Sequence, residues 1–365
     1  MRSARPQGFR IGAWSGGVAA AGVLGGLAGA HALRRVGATA RWPARCDELR
    51  EEDFTLLDRD RACTVVADDG VALAVRECGA EDARATVVFV HGFCNSMESF
   101  HFQRRDLEKQ WGPGVRMLFF DQRGHGRSGE PSVGSCTVPQ LGRDLAAVVR
   151  ACAPTGPLMV VGHSMGGMAI LAAAAQFPEL FAERVRAVAL LSTAAAEVTD
   201  TGVAQLLRHP AIDGFRVAVH AAPALMQAGR AAARHVVTPI LHVSSFHGDV
   251  SPTLSRMNTS MIDRTPVATV VKFFQALELH DESAALPLLA PRPALVLGGG
   301  HDLVIPFRNS AALARHLPDA DMVRVTDAAH MVHLQCPDLV NAALDRLLLR
   351  SGLAAPGAGR EVLGG

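Results

Sequence analysis

The chain has 365 residues, 49% of them hydrophobic and 19% charged, which excludes a disordered polymer and leaves room for a large core plus an insertion. The net charge of +1 conceals an asymmetry: residues 1–45 hold seven arginines and no acid, and the remainder holds 29 basic against 35 acidic residues. No basic patch interleaved with aromatics occurs in that remainder, so nucleic acid is not expected as a partner. The cysteines (Cys46, Cys63, Cys78, Cys94, Cys136, Cys152 and Cys336) are scattered and lack C-x-x-C spacing. That pattern indicates no zinc site and reads as small buried apolar side chains.

At the N-terminal end, Ile11 to Leu33 is an uncharged run of 23 residues between Arg2, Arg5, Arg10 and Arg34, Arg35. Its length suits a membrane-spanning helix, and its glycines have the small-x-x-x-small spacing of packed membrane helices. Ala28-Gly29-Ala30 offers the other reading, a signal peptide with a cleavage site, so the protein is expected either at a membrane or secreted. A plain Gly/Ala leader is the third reading. All three place residues 1–45 outside the folded body.

Two β-rich runs open the body, Cys63–Ala67 and Val71–Glu77, joined by the hairpin signal Asp68-Asp69-Gly70. Strands are expected at Ala294–Leu297 and Met322–Val325, and a short apolar run with β-branched residues, Thr86–Val90, is repeated in type at Arg116–Phe120, Leu158–Val161 and Ala187–Leu191. They suit buried parallel strands. Helical patterns alternate with them at Val138–Cys152, Met165–Gln176, Asn309–His316 and Pro337–Leu349. The alternation predicts an α/β fold, a mainly parallel sheet with helices on both faces. Residues 193–286 interrupt it with mostly helical pattern, far longer than an ordinary connection. The expected organisation is therefore a core over 46–192 and 287–352, a helical cap over 193–286 and a loose tail over 353–365.

Gly162-His163-Ser164-Met165-Gly166-Gly167 follows one strand run and opens a helical run. This is the G-x-S-x-G nucleophile elbow in its strand–turn–helix context, with Ser164 as nucleophile. The turn is strained and needs small neighbours, and the helix N-terminus aims free N–H groups at a developing oxyanion. A serine needs a base and the base needs an orienting acid, in the chain order Ser, acid, His. Asp302, in the loop after the strand Ala294–Leu297, is the expected acid; His330, in the loop after Met322–Val325, is the expected base. Asp327 and His333 are the competing candidates. The expected oxyanion donors are the backbone N–H groups of Met165 and of Phe93, which lies in His91-Gly92-Phe93 after another strand run.

Together these motifs resemble the α/β-hydrolase superfamily, in particular its capped serine esterase and lipase-like members. His91-Gly92-Phe93 resembles the oxyanion loop and Asp121-Gln122-Arg123-Gly124-His125-Gly126-Arg127-Ser128 the D-x-R-G-x-G-x-S loop. Gly162–Gly167 matches the G-H-S-M-G-G elbow, and the loops bearing Asp302 and His330 follow in order. The resemblance spans roughly residues 60–350, and serine at position 164 separates the chain from the aspartate-nucleophile branches. It implies hydrolysis of a small-molecule acyl ester, with lipid or acylglycerol esters among the candidates, through an acyl-enzyme and without cofactor or metal. Thioesterase and cofactor-free haloperoxidase or perhydrolase chemistry on the same triad are the alternatives, as is a non-catalytic ligand-binding protein. Leu225, Met226, Phe246, Met257, Met261, Phe273 and Phe274 are the cap residues that could line an acyl pocket or simply pack the cap.

Overall fold

The computed structural model describes residues 47–200, 241–242 and 244–353. The leader with its 11–33 run, part of the expected cap and the tail beyond Leu353 lie outside the described residues. Among the described residues, no helix is long and apolar enough to cross a membrane.

The apolar runs all become strands of one sheet, in the order β1-β2-β4-β3-β5-β6-β7-β8. β1 (Arg61–Val66) and β2 (Ala72–Cys78) form the expected hairpin. Its turn closes on Gly70 at φ 87°, a left-handed conformation without penalty for glycine. β2 also runs antiparallel to β4 (Val115–Phe120). Every other pairing is parallel and links β3 (Ala85–Val90), β5 (Leu158–His163), β6 (Val185–Leu191), β7 (Ala294–Gly299) and β8 (Ala320–Val325). Several strands run past the apolar segment that announces them. Gly162, His163, Gly298 and Gly299 extend the ends of β5 and β7, where the site is built, and they pair through backbone that hydropathy does not register.

Alternate residues of the central strands feed two separate cores, as the two-residue strand period requires. Val88, Val90, Val160 and Val188 face one, and Val87, Phe89, Met159 and Val161 face the other. The helices Val138–Cys152 and Met165–Gln176 cover the first face, and Pro337–Arg350 and His101–Trp111 cover the second. Val138–Cys152 starts where the hydroxyl of Thr137 accepts the N–H of Gln140 at 3.2 Å, with Pro139 in the first turn. His101–Trp111 is not legible as a helix: its apolar positions are few, and it buries His101 and Gln103 beside Phe102, Leu107 and Trp111.

Between β6 and β7 the described chain includes the helices Pro252–Arg264 and Val267–Glu278, separated at Thr265-Pro266, and the short helix Leu286–Leu289. The strand order reverses around β3, with β4 on one side and β5 on the other. In an open α/β sheet, ligands gather at the carboxyl ends of strands at such a switch point.

Candidate active site

β5 ends at His163, and the helix Met165–Gln176 begins two residues later, with Ser164 alone between them. Ser164 carries the whole change of direction at φ 53° and ψ −120°. That conformation is costly for a residue with a Cβ and persists only where its surroundings impose it. They do so here. Ser164 N–H donates to the Leu191 carbonyl at 2.9 Å, and the Ser164 carbonyl accepts from Gly167 N–H at 2.9 Å and the Thr193 hydroxyl at 2.7 Å. A Cβ on Gly166 would stand 2.0 Å from the Val90 carbonyl oxygen, so only glycine lets the elbow sit against the end of β3. Two further non-glycine residues with positive φ adjoin the site: Cys94, after Phe93, and Ser192, before Thr193.

The structure brings Ser164, His330 and Asp302 into one hydrogen-bonded chain. His330 Nε2 lies 3.0 Å from Ser164 Oγ, and His330 Nδ1 lies 2.8 Å from Asp302 Oδ2. An ionised carboxylate only accepts, so Nδ1 carries the proton and Nε2 is left to accept from the serine hydroxyl. The second oxygen of Asp302 accepts the N–H groups of Val304 and Ile305 at 2.8 and 2.9 Å, which fixes the carboxylate from behind. The competing candidates fall elsewhere. Asp327 is exposed and meets Thr326. His333 is buried in the short helix Val332–Gln335, its ring tilted against those of Phe100 and His163. Burial pushes its imidazole down to about 3.

The loop after β3 closes against Ser164: a Cβ on Gly92 would meet Ser164 Cβ at 3.1 Å. Among the described residues, neither Phe93 N–H nor Met165 N–H has an intramolecular acceptor. Met165 opens a helix, where N–H groups are left free. The D-x-R-G-x-G-x-S loop supplies scaffold. Asp121 accepts from Met97 N–H at 2.7 Å and Arg127 N–H at 2.8 Å, and burial raises its carboxyl to about 6. Gln122 N–H donates to His91 Nε2 at 2.9 Å, which locks the ring that precedes Gly92. Arg123 is buried between Asp144 and Asp69.

Three contributors were not legible from the motif. His163 Nε2–H donates to the His330 carbonyl at 3.0 Å and so ties the elbow to the histidine loop. Thr193 holds the elbow carbonyl. Gln335 Oε1 accepts from Ala329 N–H at 3.0 Å and from His247 N–H at 3.1 Å, joining the histidine loop to the segment before Pro252–Arg264. His163 stands inside the elbow pentapeptide; Thr193 and Gln335 gave no signal.

The apolar cap residues divide. Phe274 packs with Ile262 and Val270, and Phe93 lies against them. Phe273 is fully buried beside His125. Met261, Met257 and Phe246 pack with Phe102, Met331 and Leu334. Leu225 and Met226 lie outside the described residues. Among the described residues, the grouping with metal-ligating donors is Cys63, Glu77 and Cys152, on β1, β2 and the end of Val138–Cys152. Scattered spacing gave no sign of it.

A sequence model of the alpha/beta hydrolase fold family matches residues 85–337. The chain belongs to this family. Within it, the chain is similar to the monoacylglycerol lipase of Mycolicibacterium smegmatis, 26% identical over 251 residues, which cover 66% of this chain and 78% of the lipase. It is also similar to the proline iminopeptidase PfmaB of Pestalotiopsis fici, 26% identical over 284 residues, 74% of this chain and 94% of that protein. Among solved structures, a thermophilic esterase from Thermogutta terrifontis superposes with a TM-score of 0.64 at 22% identity. That comparison covers 80% of this chain and 99% of the esterase. This alpha/beta hydrolase thus shares its fold with proteins named as a lipase, a peptidase and an esterase.

Proposed function

We propose that the protein is a serine hydrolase that cleaves small carboxylic esters through an acyl-enzyme on Ser164. The observation that carries the reading is the unbroken Ser164–His330–Asp302 chain on the strained elbow at the carboxyl end of β5. Relatives named as lipases and esterases support a hydrolase acting on ester bonds. In the first half-reaction Ser164 Oγ attacks the ester carbonyl, and His330 Nε2 takes the hydroxyl proton as the new C–O bond forms. Asp302 holds His330 in the required tautomer and stabilises the imidazolium. The N–H groups of Phe93 and Met165 receive the oxyanion. Collapse of the tetrahedral intermediate expels the alcohol, which takes the proton from His330. Water then repeats the sequence on the acyl-enzyme and releases the acid.

In this reading the helices Pro252–Arg264 and Val267–Glu278, inserted between β6 and β7, belong to a cap. The Phe93, Ile262, Val270 and Phe274 cluster, next to one oxyanion donor, supports an apolar acyl group. Kinetics on p-nitrophenyl esters of increasing acyl length test the proposal. Turnover that is abolished in Ser164→Ala and responds to chain length is the expected result; a chain-length response that is flat removes the apolar acyl pocket, and no turnover on any ester removes the esterase reading.

A further inference from the structure

Away from the triad, the topology brings together two cysteines separated by 89 positions. Cys63 lies on the edge strand β1, and Cys152 is the last residue of the helix Val138–Cys152. Their sulfurs are 3.8 Å apart, and the Glu77 carboxylate on β2 is within 4.8 Å of both. Cys63 is partly exposed, whereas Cys152 is buried. A disulfide places its sulfurs at about 2.05 Å, so closure asks for less than 2 Å of approach by side-chain rotation.

We propose that Cys63 and Cys152 form a redox site, a thiol pair that closes to a cystine by exchange with a small-molecule disulfide of the oxidised-glutathione class. Accessibility orders the steps. The Cys63 thiolate attacks one sulfur of the small disulfide, forming a mixed disulfide and expelling one thiolate. Cys152 then loses its proton and attacks the Cys63 sulfur, expelling the second. The pair loses two hydrogens, and the small disulfide leaves as two thiols. Cys152 cannot lead, because burial and the adjoining Cys63 and Glu77 hold its thiol proton up to about 12. The product staples the β1 edge to the helix that covers one face of the sheet.

The same three side chains could be read as a metal site, but the charge around them opposes it. Arg61 pairs with Glu77, the Arg116 guanidinium lies 3.8 Å from the same carboxylate oxygen, and Arg116 also donates to the Cys152 carbonyl at 2.5 Å. A divalent cation would sit beside two guanidinium groups with three protein donors instead of the four of a closed zinc site.

Tryptic peptides 62–76 and 151–184 each contain one cysteine, Cys63 and Cys152, so a cross-link between them is unambiguous. The full-length protein is incubated with oxidised glutathione, alkylated and mapped without reduction, with a dithiothreitol-treated sample beside it. The expected result is the 62–76/151–184 cross-linked peptide and a melting temperature raised by roughly 5–10 °C, as for closure of a long loop. Both disappear in Cys63→Ser and persist in Cys336→Ser. If Cys63→Ser does not fold, the wild-type map alone decides. A glutathione adduct that remains on Cys63, a cross-link at another pair, or one equivalent of zinc retained by the reduced protein would each overturn the proposal.

Discussion

Histidines within the elbow and its neighbouring loops fall into two kinds, set apart by what surrounds the ring. His330 hydrogen-bonds to a carboxylate on one nitrogen and a hydroxyl on the other. His91, His125, His163 and His333 are buried, and their described hydrogen bonds go to backbone groups or are lacking. Burial pushes His91 to about 3, His125 to about 4 and His333 to about 3, and carries His163 well below its ordinary range. Under the proposed mechanism the same imidazole is a base in one place and a neutral packing and hydrogen-bonding group a few ångströms away. A buried ring with no carboxylate hydrogen-bonded to it gains too little to hold a charge away from water.

Substitutions that erase this difference should have the largest effect. Ser164→Ala and His330→Ala should each lower kcat by at least about 10⁴-fold, and Asp302→Asn by a similar factor through the wrong tautomer, with KM nearly constant. Steady-state ester kinetics read all three. An Asp302→Asn enzyme within tenfold of wild type would mean that the carboxylate is not what separates His330 from the others.

Gly166→Ala tests the geometry that holds Ser164 at the elbow. Its Cβ would meet backbone at 2.0 Å, so insoluble protein or a melting temperature lower by more than about 10 °C is expected. Near-normal stability would show that the elbow is looser than described.

His163 sharpens the comparison, because its neutral ring hydrogen-bonds to the backbone that carries His330. His163→Phe removes the donor to the His330 carbonyl and should lower kcat about tenfold with little change in KM, consistent with the loss of one buried hydrogen bond. His163→Gln, which keeps an N–H donor, should recover most of it. Equal loss in both variants would mean the ring acts by packing alone.

The neutral histidines also carry a pH signature. Their folded pKa values lie below the ordinary 6.5, so the unfolded chain binds more protons once the pH drops below about 6.5, and stability falls with acid. Each of His91, His125 and His333 contributes a slope of about 1.4 kcal/mol per pH unit down to its folded value. Asp121 opposes them: raised to about 6, it favours the fold most below pH 3.8 and loses that contribution as pH rises to about 6. The net expectation is a melting temperature that declines from pH 6.5 to 4.5, measured calorimetrically. The smallest effect belongs to Phe274→Ala, which should lower kcat/KM for long acyl esters about tenfold and leave short esters unchanged.

Most of the sheet was legible because parallel strands covered on both faces carry continuous apolar runs, as β3 and the first four residues of β5 and β7 do. The elbow was legible because its glycines are demanded by backbone packing. Helix His101–Trp111 was not, since it buries Gln103, whose partners Asn341 and the His333 carbonyl lie over 200 positions away. Thr193, Gln335 and the Cys63–Glu77–Cys152 cluster share that character. Each owes its place to contacts between distant segments, which neither spacing nor periodicity encodes.

The central claim is that Ser164 is a nucleophile activated by His330. Stoichiometric reaction with a fluorophosphonate, followed by peptide mapping, tests it most directly. Peptide 151–184 contains Ser164 as its single serine. The account predicts one adduct per chain on that peptide, lost in both Ser164→Ala and His330→Ala. A folded wild-type protein that takes up no label, or takes it up on another residue, would contradict it.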